Sequence, residues 1–212
     1  MTLSIQEMEG AIKELHALVS QNKTISVETM QQTILYKAVQ DVSILDASGI
    51  ECSPETLLFV AKITATSPSI HTVYMSDNNL GKYGPATAAA LVSSNIIHTV
   101  DMSSNNLGKY GPATAVALIR SDTVHTVDIG RNQLGKYGPA TATAFSNSYV
   151  MQTVYMGYNQ LGQYGPDTAV ILASSDTIHT VHIGYNNLIM YGPATAAALK
   201  VVPICWTGLQ QV

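Results

Sequence analysis

His71, His98, His125 and His179 occupy one place in a phrase that returns every 27 residues, with Gln152 at the fourth copy. Imidazoles in a ladder about 4.8 Å apart carry the right atoms for a shared metal. No carboxylate or cysteine closes a tetrahedral set, however, and ligands in a straight row do not surround an ion. Lys82, Lys109 and Lys136 form a second row, which ends where Gln163 and Met190 follow. Aligned like charges weaken a fold slightly, and a phosphate backbone or an acidic partner offsets that. With tyrosines nearby, the three lysines are therefore candidate contacts for RNA or an acidic partner, through charge and stacking. An exposed solubilising stripe explains them more simply. Asp101 with His125 or His182 makes an acid and base pair on paper, but an open sheet gives no enclosed pocket to tune their pKa values. No nucleophile elbow, phosphate loop or His-Glu-x-x-His helix is present, so the chain reads as a non-enzyme with neither cofactor nor metal.

These rows exist because five copies of one phrase, beginning at Ile70-His-Thr-Val-Tyr-Met, follow one another without insertion. A fixed period means a stacked solenoid, and L-x-x-L-x-L-x-x-N-x-L is the spacing of a leucine-rich repeat, filled first by Ile70, Val73, Met75, Asn78 and Leu80. The Gly84-Pro85-Ala-Thr-Ala-Ala-Ala-Leu91 stretch predicts a turn and a short helix, with Pro at its start. Alternate residues of a strand face opposite ways, which sends Val73, Met75 and Leu80 inwards and leaves two divergent rows outside. One is Tyr74, Asp101, Asp128, Tyr155 and His182; the other is Asp77, Ser104, Arg131, Tyr158 and Tyr185. The uniform row from Thr72 to Thr180 is scaffold. The ten divergent residues are the predicted partner-binding surface, since repeated scaffolds carry specificity at exposed variable positions.

That surface has two ends. Tyr155, Tyr158, His182 and Tyr185 gather in its C-terminal half, with Trp206 adjoining, and aromatic residues of this kind dominate binding hot spots. Asp77, Asp101 and Asp128 are acidic neighbours that a basic partner side chain would relieve. Tyr83, Tyr110, Tyr137, Tyr164 and Tyr191 recur too regularly to encode specificity and are expected to stack as an outer-edge ladder.

The N-x-L followed by a Gly-led helix resembles the ribonuclease-inhibitor type of leucine-rich repeat, well over residues 70 to 200 and loosely over 42 to 66. The resemblance implies a right-handed α/β solenoid with a parallel concave sheet, convex helices and asparagine amides that bond the backbone of neighbouring turns. Three functions stand as expectations, the second from the lysine edge and the tyrosine patch and the third from this resemblance. The first is a non-enzymatic module that binds a protein on its concave face. The second is association with RNA or the ribosome that interferes with translation. The third is ribonuclease-inhibitor-like covering of a basic enzyme. The short alanine-rich repeats also resemble those of leucine-rich-repeat effectors of intracellular bacterial pathogens, which implies a virulence role with a host protein as partner in the host cytosol.

At 212 residues, 46% of them apolar, the chain has material for one continuous core. Only 11% of residues are charged and the net charge is −4, which argues against a broadly basic nucleic-acid binder. The opening Met1-Thr-Leu-Ser-Ile-Gln-Glu lacks the features of a signal peptide, no stretch is long enough to span a membrane, and no small-molecule substrate is expected. Cys52 and Cys205 are predicted at opposite ends of the stack, too distant to pair, as suits a reducing cytosol. Residues 1–41 read as an N-terminal helical cap, 42–69 as a degenerate first repeat, 70–200 as the five regular repeats, and 201–212 as a C-terminal cap or a truncated end. Within the cap, Ser4-Ile-Gln-Glu7 is a capping box followed by Ile5, Met8, Ile12, Leu15 and Val19 at helical spacing. A second helix is predicted over 27–39, and a third opens at Ser53-Pro54-Glu55.

Overall fold

The computed structural model describes residues 10–15, 17, 31, 33–50, 52–188 and 190–199. Six strands of three residues each make one sheet: β1 (Ile44–Asp46), β2 (Thr72–Tyr74), β3 (Thr99–Asp101), β4 (Thr126–Asp128), β5 (Thr153–Tyr155) and β6 (Thr180–His182). They pair in sequence order, every pair parallel. Thr72 lies opposite Thr99, Thr99 opposite Thr126 and so on, so the sequence period is the register of the ladder. The degenerate stretch joins the same sheet with one extra residue, Ile44 facing Thr72. The chain is thus an α/β solenoid of the leucine-rich-repeat class.

The helix α1 (Ile34–Ala38) precedes the first strand, α2 (Pro54–Thr64), α3 (Gly84–Leu91), α4 (Gly111–Leu118), α5 (Gly138–Ser146) and α6 (Gly165–Ala173) run between strands, and α7 (Gly192–Leu199) follows the last. Residues 10–15 are helical as well, burying Ile12 and Leu15. The capping box at residues 4–7, Met8, Val19, residues 27–30 and 32 of the predicted second helix, Cys205, Trp206 and the whole 201–212 segment lie outside the described residues. Helix α2 begins as its sequence demands: the Ser53 hydroxyl accepts from the Thr56 N–H and Pro54 takes the first turn. In the regular repeats a short 3₁₀ turn such as Gly81–Tyr83 leads directly into the helix, and no side chain caps it. Among the described residues no helix is long and apolar enough to cross a membrane.

The core lies between sheet and helices. Val73, Val100, Val127, Val154 and Val181 alternate with Met75, Met102, Ile129, Met156 and Ile183, all buried, and Leu80, Leu107, Leu134 and Leu161 close the turn beyond. Burying each such side chain contributes roughly 1.5–3 kcal/mol. Ala88, Ala115, Ala142 and Ala169 supply the inward helical face, fully buried. The glycines that open α3 to α6 are a packing requirement. A Cβ on Gly138 would stand 2.4 Å from Leu161 Cδ2 and 2.9 Å from Thr168 Oγ1 of the next turn.

Polar groups inside the coil are satisfied by repeated side chains. Asn105 Oδ1 accepts from the N–H of Asn78 and of Leu80, while its amide donates to the carbonyls of Met75 and Ser103. Asn132, Asn159 and Asn186 do the same one turn further on. A second row, Ser67, Ser94, Ser121, Ser148 and Ser175, accepts main-chain N–H groups where each helix turns back toward its strand. Its 27-residue spacing is as plain in the sequence as that of the asparagines. Only the turn geometry gives it meaning. Thr114, Thr141, Thr168 and Thr195 bond the tyrosine carbonyl four residues back, whereas the Thr87 hydroxyl is buried without a partner.

Candidate functional site

The two divergent rows lie on the outer side of the sheet, but their backbones differ. Tyr74, Asp101, Asp128, Tyr155 and His182 end the five strands and continue the parallel ladder. Asp77, Ser104, Arg131, Tyr158 and Tyr185 sit three residues on, in the left-handed region, with φ of 57°, 53°, 56°, 57° and 57°. Each of the first four donates its N–H to a carbonyl of the following turn, as Arg131 does to Gly157 at 2.8 Å. For a side chain as large as Arg or Tyr this conformation is unfavourable, and asparagine or glycine would hold it more cheaply. Periodicity gives no sign of this twist.

In the C-terminal half the aromatic residues form two columns. Tyr155 and His182 stack with ring centroids 4.3 Å apart and planes 10° from parallel; Tyr158 and Tyr185 stack at 4.4 Å and 7°. The Arg131 guanidinium lies 4.2 Å over the Tyr158 ring and extends the second column by one rung. Such contacts contribute about 0.5–1.5 kcal/mol each and hold the side chains in place before any partner arrives. Tyr74, Tyr158 and Tyr185 are exposed, and burial lowers the pKa of His182, which favours its neutral form.

The acidic part of the surface corrects a sequence expectation. Asp101 and Asp128 are turn-building residues as well as surface carboxylates. Asp101 Oδ1 accepts from the Ser103 N–H at 2.8 Å and Asp128 Oδ1 from the Gly130 N–H at 2.7 Å. Asp46 does the same for Ser48. Asp128 is half-buried, and its pKa rises to about 6, chiefly through desolvation and also through the Asp101 charge, against the Gly130 bond and Arg131. Asp77 is exposed and Ser104 half-buried. The relief expected from a basic partner is thus supplied in part by the chain's own backbone.

Lys82, Lys109 and Lys136 belong to a different edge, on the 3₁₀ turns before the helices. Each ammonium folds over the ring of the next residue, 5.1 Å from Tyr83, 5.2 Å from Tyr110 and 5.4 Å from Tyr137. The expected outer-edge ladder of stacked tyrosines is therefore not formed among these residues, because each ring is engaged by its own lysine. Tyr83 instead donates its hydroxyl to Glu55, a bond that lowers the Glu55 pKa and raises that of Tyr83. At the opposite edge His71, His98 and His125 do stack, at 6.2 and 5.4 Å, and Gln152 interrupts the run. Desolvation and the His98 charge lower the His125 pKa. Among the described residues no three His, Cys, Asp or Glu side chains are grouped to hold a metal ion.

No family model matches the chain, and no curated protein matches its sequence. Among solved structures it is similar to a tropomodulin C-terminal domain from Caenorhabditis elegans, with a TM-score of 0.49 at 12% identity over 84% of this chain and 93% of that one. It is similar to actin-binding site 2 of leiomodin-1 at the same TM-score and identity, over 84% of this chain and 90% of the other.

Proposed function

We propose that the chain is a protein-binding leucine-rich-repeat module that grips its partner with the C-terminal half of the concave sheet. The observation that carries this reading is the column Arg131, Tyr158 and Tyr185. Three large side chains occupy left-handed positions where small ones would be cheaper, and they are stacked and held ready at the surface. Pre-ordered aromatic and guanidinium groups lose little further freedom on binding, which is the property of a hot spot. In its finer form the reading takes the partner to be a protein of a host cell, met in the host cytosol by a bacterial effector, as the repeat style implies. A basic enzyme covered in the ribonuclease-inhibitor manner is the partner that the acidic positions fit.

Affinity capture from lysate with and without nuclease tests the class of partner. Replacing Tyr155 and Tyr158 together by Ala weakens a protein partner by several kcal/mol, or roughly a hundredfold and more in Kd, and leaves the fold intact. Replacing Lys82, Lys109 and Lys136 together by Gln leaves that binding unchanged. Capture that vanishes with nuclease, or that falls in the lysine variant with a shallower salt dependence, rejects the reading in favour of RNA.

A further inference from the structure

A groove of about 360 Å³ opens where the strands of three consecutive turns begin, away from the two aromatic columns. Asp122, His125, Tyr149, Gln152, Asp176 and His179 line it. Comparing the turns with one another singles out its middle rung. Tyr149 takes the place held by Asn95, Asp122 and Asp176 in other turns, and Gln152 replaces the histidine, so one repeat departs from its two groove neighbours at positions 149 and 152. Tyr149 is 94% exposed, which leaves its ring without a partner in the chain. The two carboxylates stand one turn away on either side, so their backbones are separated by about 10 Å, twice the strand spacing.

We infer that this groove is a second binding site, which receives an arginine side chain presented by an extended segment of a partner protein. The guanidinium plane lies on the Tyr149 ring between the carboxylates of Asp122 and Asp176, and the Gln152 amide oxygen accepts one of its N–H groups. Arginine fits better than lysine because a planar fork stacks on a phenol and donates to acceptors on two sides at once. His125, neutral at pH 7 because desolvation and His98 lower its pKa, does not repel the cation. The nearest basic residue in sequence, Arg120, is exposed and is not part of the lining. The site is independent of the concave columns, and either can fail without the other.

The test uses the whole chain, labelled for nuclear magnetic resonance, and two capped peptides, Ser-Gly-Arg-Gly-Ser and its citrulline twin, which keeps the shape and loses the charge. The arginine peptide gives saturable shifts centred on residues 122–125, 149–152 and 176–179, and the citrulline peptide gives none. Asp122→Asn with Asp176→Asn weakens binding about tenfold. Tyr149→Ala weakens it about three- to fivefold, while Tyr149→Phe, which keeps the ring face, binds as the parent does. All three positions are exposed, and circular dichroism confirms that the variants fold. Shifts that do not saturate, equal response to the citrulline peptide, or full binding by the double aspartate variant overturns the assignment. Saturable shifts at Tyr158 and Tyr185 in place of the groove also overturn it.

Discussion

Asn132 Oδ1 accepts the main-chain N–H of Asn105 at 2.9 Å, across one full turn of the coil. The same oxygen takes the Leu107 N–H, while the amide donates to the carbonyls of Met102, Ile129 and Gly130. Asn132→Ala leaves several buried groups unpaired at once, and the expected loss is roughly 2–4 kcal/mol. A lower denaturant midpoint with an unchanged slope is the signature. A loss as small as that of an exposed control such as Gln133→Ala contradicts the assignment of the amide as an internal splice.

Asp128 carries a raised pKa, about 6 against an ordinary 3.8. Folding therefore takes up a proton between those two values, and this residue's contribution to stability declines as pH rises through that window. Asp128→Asn keeps an acceptor oxygen for Gly130 and removes the desolvated charge. At pH 7 the variant is expected to gain on the order of 2 kcal/mol, and its stability is expected to vary less between pH 4 and 6 than that of the parent. Thermal unfolding across that range decides the matter; parallel curves for the two proteins exclude it.

Gly138 tests whether helix propensity or packing rules the convex side. In a helix, Ala is favoured over Gly by about 1 kcal/mol, so a free position would gain from the change. The 2.4 Å approach of Leu161 reverses the sign, and Gly138→Ala is expected to cost about 1–3 kcal/mol. A stabilised variant would show that the next turn yields without cost.

The left-handed row gives the opposite prediction for glycine. Ser104 has φ 53° and packs no large side chain into the column, so Ser104→Gly is expected to stabilise the fold by about 0.5–1 kcal/mol. An unchanged or lower midpoint would show that the strain assigned to this row is absent.

The period of 27 residues was enough to place the strands, their parallel order and their pairing, because a residue that recurs at one interval can only face its own copy in a stacked coil. It also separated Val127 from Thr126, inside from outside, and marked the ten divergent positions. What it left unread depends on where the chain turns. Asp128 and Tyr155 are equivalent in spacing, yet one folds back on Gly130 and the other stacks on His182. Tyr83 and Tyr110 repeat as regularly as any core residue, but a lysine beside each offers a nearer partner than the next ring. The groove beneath Tyr149 needs three turns side by side, and no single repeat contains it.

The in-register pairing of near-identical turns has a consequence for how the chain reaches its fold. Any strand finds an almost equally good neighbour in the copy 54 residues away as in the one 27 away, at the expense of extruding one whole turn as a loop. The entropy of closing that loop grows only with the logarithm of its length, so the skipped arrangement is a close competitor during folding. The divergent residues therefore have a use within the fold itself: Tyr155 on His182 and Arg131 on Tyr158 are contacts that only the correct succession makes, and they label each turn with its place in the order.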